Sequence, residues 1–184
     1  MIIDNVILGI DPGTTIMGYG VIQINNNKPQ LLTLGVLDLR KYTDHYLKIK
    51  KIFDRTLSLI KEYKPDELAI EAPFYGKNVQ SMLKLGRAQG AAISAALHCS
   101  IPIFEYAPRK IKLSITGQGA ASKEQVASIL KTILKIDELP QFLDATDGLA
   151  AALCHFYQKG NAVTANKSSN WNDFIKNNPE RIYK

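Results

Sequence analysis

The order in which apolar patterns follow one another constrains this chain more than any single motif. Three stretches rich in β-forming residues come first, and turn-forming residues separate the second from the third. Helical spacing of apolar residues then alternates with two further short apolar stretches. This pattern predicts strands at residues 6–10, 18–24, 31–39, 67–72 and 101–106, and helices at 46–60, at 79–97, from a Ser122–Gln125 capping box onward, and after Pro140.

Three antiparallel strands followed by alternating helices and strands predict an α/β domain of three layers around a mixed five-stranded sheet. With 46% hydrophobic and 22% charged residues among 184, the chain can bury one core and is not expected to be disordered. We expect this domain to span residues 1–158. A basic tail over 159–184 begins with the linker-like stretch 161–170 and could end in a short helix or be disordered.

Cysteine usage and the absence of targeting patterns indicate a cytoplasmic protein. Cys99 and Cys154 lie in apolar surroundings without metal-ligand spacing, so we expect buried free thiols. The N-terminal residues lack the features of a secretory signal, and the longest weakly polar stretch is far shorter than the ~20 residues that span a bilayer. We therefore expect a soluble protein with no membrane partner.

Four carboxylates stand at the ends of predicted elements. Asp11 closes the first strand, Glu71 ends an otherwise apolar strand, and Asp144 and Asp147 share one face of the last helix in its first turn. If these elements meet at one sheet edge, the four acids converge. Two carboxylates ~5 Å apart at an effective dielectric of ~20 repel by about 3 kcal/mol, so such a cluster must bind protons or cations. Oxygen ligands without a nearby thiolate favour Mg²⁺ or Mn²⁺.

Each acid alone also has an ordinary structural interpretation. Asp144 or Asp147 could cap a helix, Asp11 could form a turn, and Glu71 could pair with a lysine. Only the four together favour a metal site.

Basic residues are concentrated between residues 76 and 135. This segment holds nine lysines and arginines against Glu105 and Glu124, whereas residues 1–75 sum to zero charge. A charged segment is often only a solvated face. Beside an acidic cluster it also suits contact with a nucleic-acid backbone, which gives affinity and salt sensitivity.

Six segments, in this order and spacing, resemble the RuvC family of bacterial Holliday-junction resolvases, which belongs to the ribonuclease-H-like and integrase superfamily. The resemblance covers residues 7 to about 156. The segments are GIDPGTTIMGYGV, AIEAPFYGKN, LKLGRAQG, FEYAPRKIK, TGQGAASKEQV and DATDGLAAALCH.

The resemblance implies a ribonuclease-H-like fold and a catalytic site in which Asp11, Glu71, Asp144 and Asp147 bind two Mg²⁺ ions. Mn²⁺ is expected to substitute, and Asp11 is the best candidate to bridge both ions. The implied enzyme is a homodimer that nicks two like-polarity strands of a four-way junction, leaving 5′-phosphate and 3′-hydroxyl ends. The implied partner is the RuvA–RuvB branch-migration motor.

The resemblance also implies DNA contacts. Lys112 and Lys123 fall at positions that touch DNA near the site, and Phe74 falls where an aromatic stacks on opened bases, unless it is a core residue. The remaining candidates extend this surface: Tyr75, Lys77, Arg87, Arg109 and Lys110.

Two other functions are compatible with parts of the sequence. GIDPGTT also opens actin-like and sugar-kinase ATPases, although 184 residues leave no second lobe. A non-catalytic nucleic-acid-binding module would explain the basic segment but not the acids.

Gly86 and Gly90 could form a packing seam inside the subunit or part of a dimer contact, and we expect His155 to be a helix residue near the site rather than a ligand.

Overall fold

The structure, a computed structural model, describes residues 5–73 and 78–165. It contains five strands and five helices in this part of the chain. Their bounds are β1 (Asn5–Asp11), β2 (Ile16–Asn25), β3 (Lys28–Asp38), α1 (His45–Tyr63), β4 (Glu67–Glu71), α2 (Val79–His98), β5 (Ile103–Tyr106), α3 (Pro108–Thr116), α4 (Lys123–Leu134) and α5 (Asp144–Ala165).

The strands form one mixed sheet in the order β3-β2-β1-β4-β5. β1 pairs with β2 and β2 with β3 in antiparallel fashion, while β4 is parallel to both β1 and β5. Buried side chains of α1 and α2 pack on one face, and those of α3, α4 and α5 pack on the other. The predicted α/β three-layer architecture with a mixed five-stranded sheet is therefore confirmed.

The capping box predicted at the start of α4 is present. The Ser122 side chain accepts a hydrogen bond from the backbone N–H of Gln125, whose side chain in turn accepts from the Ser122 N–H. Such a reciprocal cap fixes where the helix begins. It makes Lys123 the first residue of α4, next to the start of α5.

Helix α3 differs from the sequence prediction. That prediction has a strand at 101–106, ended by Pro108, and no helix between that strand and the Ser122–Gln125 capping box. The missed signals are a proline at the first helical position and two buried isoleucines four residues apart, Ile111 and Ile115. The other difference concerns α5, which continues to Ala165 where a linker was predicted over 161–170. Residues 166–184 of the predicted tail lie outside the described residues.

No helix in the described ranges combines the length and hydropathy needed to cross a bilayer. Both cysteines are free thiols, as predicted. Cys154 is buried, whereas Cys99 is only half-buried.

Candidate active site

The parallel pairing of β1 with β4 brings two of the predicted acids to one edge of the sheet. Ile10 is in register with Ile70, so Asp11 and Glu71 follow as neighbours at the carboxyl ends of adjacent strands. Ligand sites of open α/β sheets form at such ends. The adjacency of these two strands meets the condition under which the sequence predicts that the acids converge.

Glycines let α5 lie directly against β1 and β2. Gly18 is in register with Asp11, and a β-carbon at position 18 would collide with the carbonyl oxygen of Asp144. A β-carbon at Gly148 would come within 2.6 Å of the Cα of Tyr19. Because both positions are glycine, no side chain keeps α5 away from the sheet, and its first turn can lie directly over the strand ends. A glycine directly after Asp147, with Gly18 and Gly20 on one face of a strand, was the overlooked signal.

The resulting site is a cavity of about 270 Å³. Asp144 lies beside it with its side chain 35% exposed, while that of Asp147 is 15% exposed. Three of the four predicted acids line the cavity together with two of the predicted lysines and an apolar wall. The lining residues are Asp11, Glu71, Asp147, Lys112, Lys123, Pro108, Ile111, Val126 and Ala150.

The carboxylates disfavour one another's ionisation. Burial raises the pKa of Asp11 well above its usual value, and the charges of Glu71 and Asp147 raise it further. Burial, followed by the charge of Asp147, raises the pKa of Glu71 to about 7. The pKa of Asp147 is also raised, chiefly by burial, although Lys123 opposes the shift. The cluster therefore holds more negative charge than its surroundings compensate.

Lys123 supplies part of the missing positive charge. Its ammonium lies 2.5 Å from Oδ2 of Asp147 and 3.3 Å from Oδ1 of Asp144. Burial lowers the pKa of Lys123, but the hydrogen bond and charge of Asp147, with those of Asp144, outweigh this and raise it. The lysine bridges the two acids of α5 and leaves Asp11 and Glu71 without a comparable partner.

The chemistry of the donor set suits a hard divalent cation. All four acids offer oxygen ligands, and the raised pKa values of Asp11, Glu71 and Asp147 show that additional positive charge would be favourable. Among the described residues no three acidic, histidine or cysteine side chains already surround one position.

A buried glutamine on α2, which the sequence analysis missed, supports the strand that carries Glu71. The Gln89 side-chain amide donates to the backbone carbonyl of Glu71 at 3.4 Å and to Oε2 of Glu105 at 2.9 Å. Its signal was a polar residue within a helix face otherwise buried through alanines.

The predicted DNA-contact residues separate into three groups. Lys112 lies at the cavity beside Lys123, and Arg109 and Lys110 are exposed in the first turn of α3. Arg87 is exposed on α2, across the sheet from α3. Phe74, Tyr75 and Lys77 lie outside the described residues.

His155 is not near the acids, contrary to expectation. It lies 11 residues beyond Asp144 on α5, about 16 Å along the helix axis. The buried ring is hydrogen-bonded to Tyr106 and Glu67. Gly86 and Gly90 form no packing seam with the described residues of the subunit, because β-carbons placed there would meet none of their atoms within 4 Å.

Comparison with known proteins agrees with this geometry. The family model "Crossover junction endodeoxyribonuclease RuvC" matches residues 7–155. The curated protein of that name from Bacteroides fragilis is 60% identical over 97% of this chain and 96% of its own length. The one from Cytophaga hutchinsonii is 58% identical over 98% of this chain and 89% of its own.

Solved structures give the same assignment. Thermus thermophilus RuvC in complex with a Holliday junction substrate is 32% identical, with a TM-score of 0.78, and the match covers 85% of this chain and 96% of that one. The yeast mitochondrial Holliday junction resolvase, at 14% identity and a TM-score of 0.60, shares the fold. This chain is thus a member of the RuvC family of crossover junction endodeoxyribonucleases.

Proposed function

We propose that this protein resolves four-way DNA junctions by paired, symmetrical, metal-dependent nicks that leave 5′-phosphate and 3′-hydroxyl ends. One observation carries the proposal: an undercompensated carboxylate cluster lies at the sheet edge of a chain that belongs to the RuvC family. Neither the ATPase nor the non-catalytic alternative has a use for this cluster.

The proposed metal ligands are Asp11, Glu71, Asp144 and Asp147. Mg²⁺ is the expected ion, with two per site, and Mn²⁺ is expected to substitute. When bound, these ions supply positive charge at the attacking and leaving oxygens of the scissile phosphodiester. Asp11 ends the central strand, between β2 and β4, and this position supports its proposed role as the ligand that both ions would share.

Lys112 and Lys123 are proposed to contact the phosphate backbone beside the cleaved bond. Both line the cavity of the acids, and Pro108, the first residue of α3, lines it too, so the N-terminal end of this helix lies at the same edge. Arg109 and Lys110 extend the positive surface along the first turn of α3. Lys112→Ala should weaken junction binding and flatten its salt dependence by about one phosphate contact.

Phe74 and Tyr75 are proposed to stack on bases opened at the junction centre, with Lys77 on the adjoining backbone. Their place in the chain, three to six residues beyond Glu71, supports this role. Stacking on an unpaired base is worth ~1–3 kcal/mol. Phe74→Ala should therefore slow junction resolution while leaving weak duplex binding intact, and an unchanged resolution rate would identify Phe74 as a core residue.

A homodimer is proposed through α2. Its outer surface presents Val79, Leu83 and Leu97, which are 67%, 54% and 61% exposed, in line with Gly86 and Gly90. These residues recur at spacings of three, four and seven, so they form one stripe along the helix. Glycines in that stripe allow a second copy of the helix to approach closely. Leu83→Glu should convert a dimer into a monomer in sedimentation experiments.

Arg87 lies beside this stripe and is proposed to reach DNA only in the dimer.

An interaction with the RuvA–RuvB motor and a cytoplasmic location are proposed from family membership. A nuclease domain over 1–158 with a basic tail is proposed from composition. Because α5 continues to Ala165, a chain ended there is the appropriate form for testing whether the tail is dispensable for cleavage.

The test is incubation of the purified protein with a synthetic four-way junction and with linear duplex, with and without Mg²⁺. Symmetric paired nicks in the junction alone, only with Mg²⁺, are expected. Asp11→Asn is the matched control and should bind the junction without cutting it. ATP hydrolysis without DNA cutting would instead favour the kinase-like alternative, and binding without cutting by the parent protein would favour the non-catalytic one.

A further inference from the structure

We propose that a second DNA-contacting surface lies at the start of α1, formed by Lys41, Tyr42, Tyr46 and Lys51, which we name the α1 patch. It would hold the phosphate backbone of a junction arm on the other side of the acids from α3. The inference rests on the proposed function and extends it to residues whose segment, 1–75, carries no net charge.

Three contacts place the α1 patch at the sheet edge that carries the acids. The Leu39 N–H donates to the carbonyl of Thr15 at 2.9 Å, and the Lys48 ammonium donates to the carbonyl of Thr14 at 3.1 Å. Both acceptors lie in the turn that follows Asp11. The Arg40 guanidinium lies over the ring of Phe142, 5.2 Å from the ring centroid. Phe142 stands two residues before Asp144 in the chain.

The patch and α3 lie on opposite sides of the acids. The segment that leads into α1 follows β3, and α3 follows β5. β3 and β5 are the two outer strands of the sheet, while the acids follow β1 and β4 between them. A duplex crossing the carboxylate cluster would therefore meet positive charge on both sides.

Most charged neighbours in this segment are already paired. Arg40 forms two hydrogen bonds with Asp38, at 2.7 and 3.0 Å, and Lys50 lies 2.7 Å from Asp54. Asp44 is used to cap α1, where it accepts from the N–H of Tyr46. No ion pair joins these acids to Lys41 or Lys51, although the charge of Lys41 adds to the effect of the Arg40 hydrogen bonds in lowering the pKa of Asp38.

Lys41 and Lys51 instead converge on one aromatic ring. Their ammonium groups lie 5.3 and 6.0 Å from the centroid of Tyr42. Within the described ranges neither forms an ion pair with a carboxylate. Tyr42 is half-buried, a cation over its ring gains only ~0.5–2 kcal/mol, and two like charges there repel. An anion between them, such as a backbone phosphate, would relieve this repulsion.

Exposed aromatic surface favours nucleic acid over a simple counterion. Tyr46, in the first turn of α1, is 76% exposed and contributes nothing to either core. Aromatic rings interleaved with lysines are typical of surfaces that follow a sugar–phosphate backbone. The neighbouring cleavage site makes a junction arm the expected occupant.

The test compares two double variants of equal charge change in an Asp11→Asn background. Lys41→Ala/Lys51→Ala removes both charges of the patch, and Lys61→Ala/Lys131→Ala removes two exposed lysines from the far end of α1 and from α4. Junction affinity is measured by fluorescence anisotropy between about 50 and 200 mM salt. Thermal unfolding confirms that each variant is folded, and Lys41→Gln/Lys51→Gln is the substitute if the alanine pair is not.

The patch variant should bind about tenfold more weakly at low salt, and its log–log salt slope should be shallower by about one to two. The control variant should stay within about twofold of the parent in affinity. Equal behaviour of the two double variants would overturn the α1 patch while leaving the proposed function intact. A parent protein that neither binds nor cuts junctions would overturn both.

Discussion

Two buried carboxylates differ sharply in ionisation although both belong to polar clusters against α5. The side chains of Glu67 and Asp147 are 13% and 15% exposed, yet the pKa of Glu67 is lowered and that of Asp147 is raised. Glu67 begins β4, at the edge of the sheet opposite the acidic cluster. Burial raises the pKa of both carboxyl groups, but only at Glu67 do the hydrogen-bond donors within the fold outweigh it.

Donors surround Glu67. Asn5 donates at 2.9 Å, His155 at 3.0 Å and Lys159 at 2.7 Å. Burial alone would raise the pKa of Glu67, but these hydrogen bonds together outweigh it. Since a carboxylate only accepts, Nε2 of His155 carries the proton, and Nδ1 accepts from the Tyr106 hydroxyl at 2.6 Å.

Cavity size alone would not have identified the candidate active site. The cavity beside Glu67 and Lys159 measures about 480 Å³, against about 270 Å³ at the acids of the candidate active site. The polar groups of the Glu67 cluster are hydrogen-bonded to one another, whereas the charges of Asp11 and Glu71 are not fully compensated by neighbouring positive groups. We infer that the first is a structural element and the second a binding site.

The largest expected difference between the clusters is in cleavage. Asp11→Asn should reduce junction cleavage by about 1,000-fold or more, because it removes the charge of a proposed metal ligand. Glu67→Gln should leave the cleavage rate of the folded protein within a few fold. Junction cleavage under single-turnover conditions measures both.

The same pair should differ in the sign of the stability change. Without metal, Asp11→Asn should raise the free energy of unfolding, because it relieves repulsion, while Glu67→Gln should lower it by about 2–3 kcal/mol. Urea denaturation in the presence of a chelator provides the comparison. Loss of stability in both variants would contradict the contrast between the clusters.

The acidic cluster should also give the metal-free protein an unusual pH dependence. Glu71 has a pKa of about 7 in the folded protein, above the value of 4.5 for an unperturbed glutamate, so the folded state binds more protons in this window. Its contribution is fully present below pH ~4.5 and is lost as the pH rises to ~7, with a change on the order of 3 kcal/mol.

Glu71→Gln is the matched control for this pH profile. It should flatten the fall in stability between pH ~4.5 and ~7, and Mg²⁺ should flatten it in the parent protein. If the free energy of unfolding of the parent protein instead rises steadily with pH through this window, and Glu71→Gln leaves the profile unchanged, the charges of the acids are already compensated within the fold.

A smaller effect is expected from the hydroxyl of Tyr106. Tyr106→Phe removes its hydrogen bond to buried His155 and should lower the free energy of unfolding by about 1–2 kcal/mol without changing cleavage. Tyr19→Phe is the control on the opposite face of the sheet, where the hydroxyl accepts from Arg55 at 2.5 Å. A selective loss of cleavage in Tyr106→Phe would mean that the structural cluster also positions the active site.

The smallest effect is expected from Lys123. Lys123→Met removes the ammonium that bridges Asp144 and Asp147, a half-exposed ion pair worth at most about 1 kcal/mol. Mn²⁺ affinity of the DNA-free protein should rise by about two- to fivefold, as measured by calorimetry. Lys112 lines the same cavity but forms no ion pair within the described part of the chain, so Lys112→Met should change the Mn²⁺ affinity less. A fall in Mn²⁺ affinity in Lys123→Met would exclude competition between the lysine and the metal.

The sequence predicted the fold and the positions of the acids because those signals are local. A strand end before a Pro-Gly turn places Asp11, and the first turn of an amphipathic helix places Asp144 and Asp147 on one face. Three antiparallel strands followed by alternating helices and strands were enough to predict the mixed sheet. These patterns need no knowledge of distant contacts.

The remaining features depend on contacts between distant parts of the chain. Glu67 and His155 are 88 positions apart and Lys123 and Asp147 are 24 apart, so no local pattern pairs them. The close approach of α5 to Gly18 is likewise visible only once the helix lies on the sheet. Helix α3 was missed for a different reason, since a proline that begins a helix also resembles one that ends a strand.

The most direct test of the central claim is calorimetric titration of the DNA-free protein with Mn²⁺ at pH 7 in buffers of different ionisation enthalpy. Because Glu71 titrates near pH 7, we predict metal binding with release of a fraction of a proton and a rise in the free energy of unfolding, both lost in Asp11→Asn. Equal Mn²⁺ binding by the parent and Asp11→Asn, with neither proton release nor stabilisation, would contradict the account.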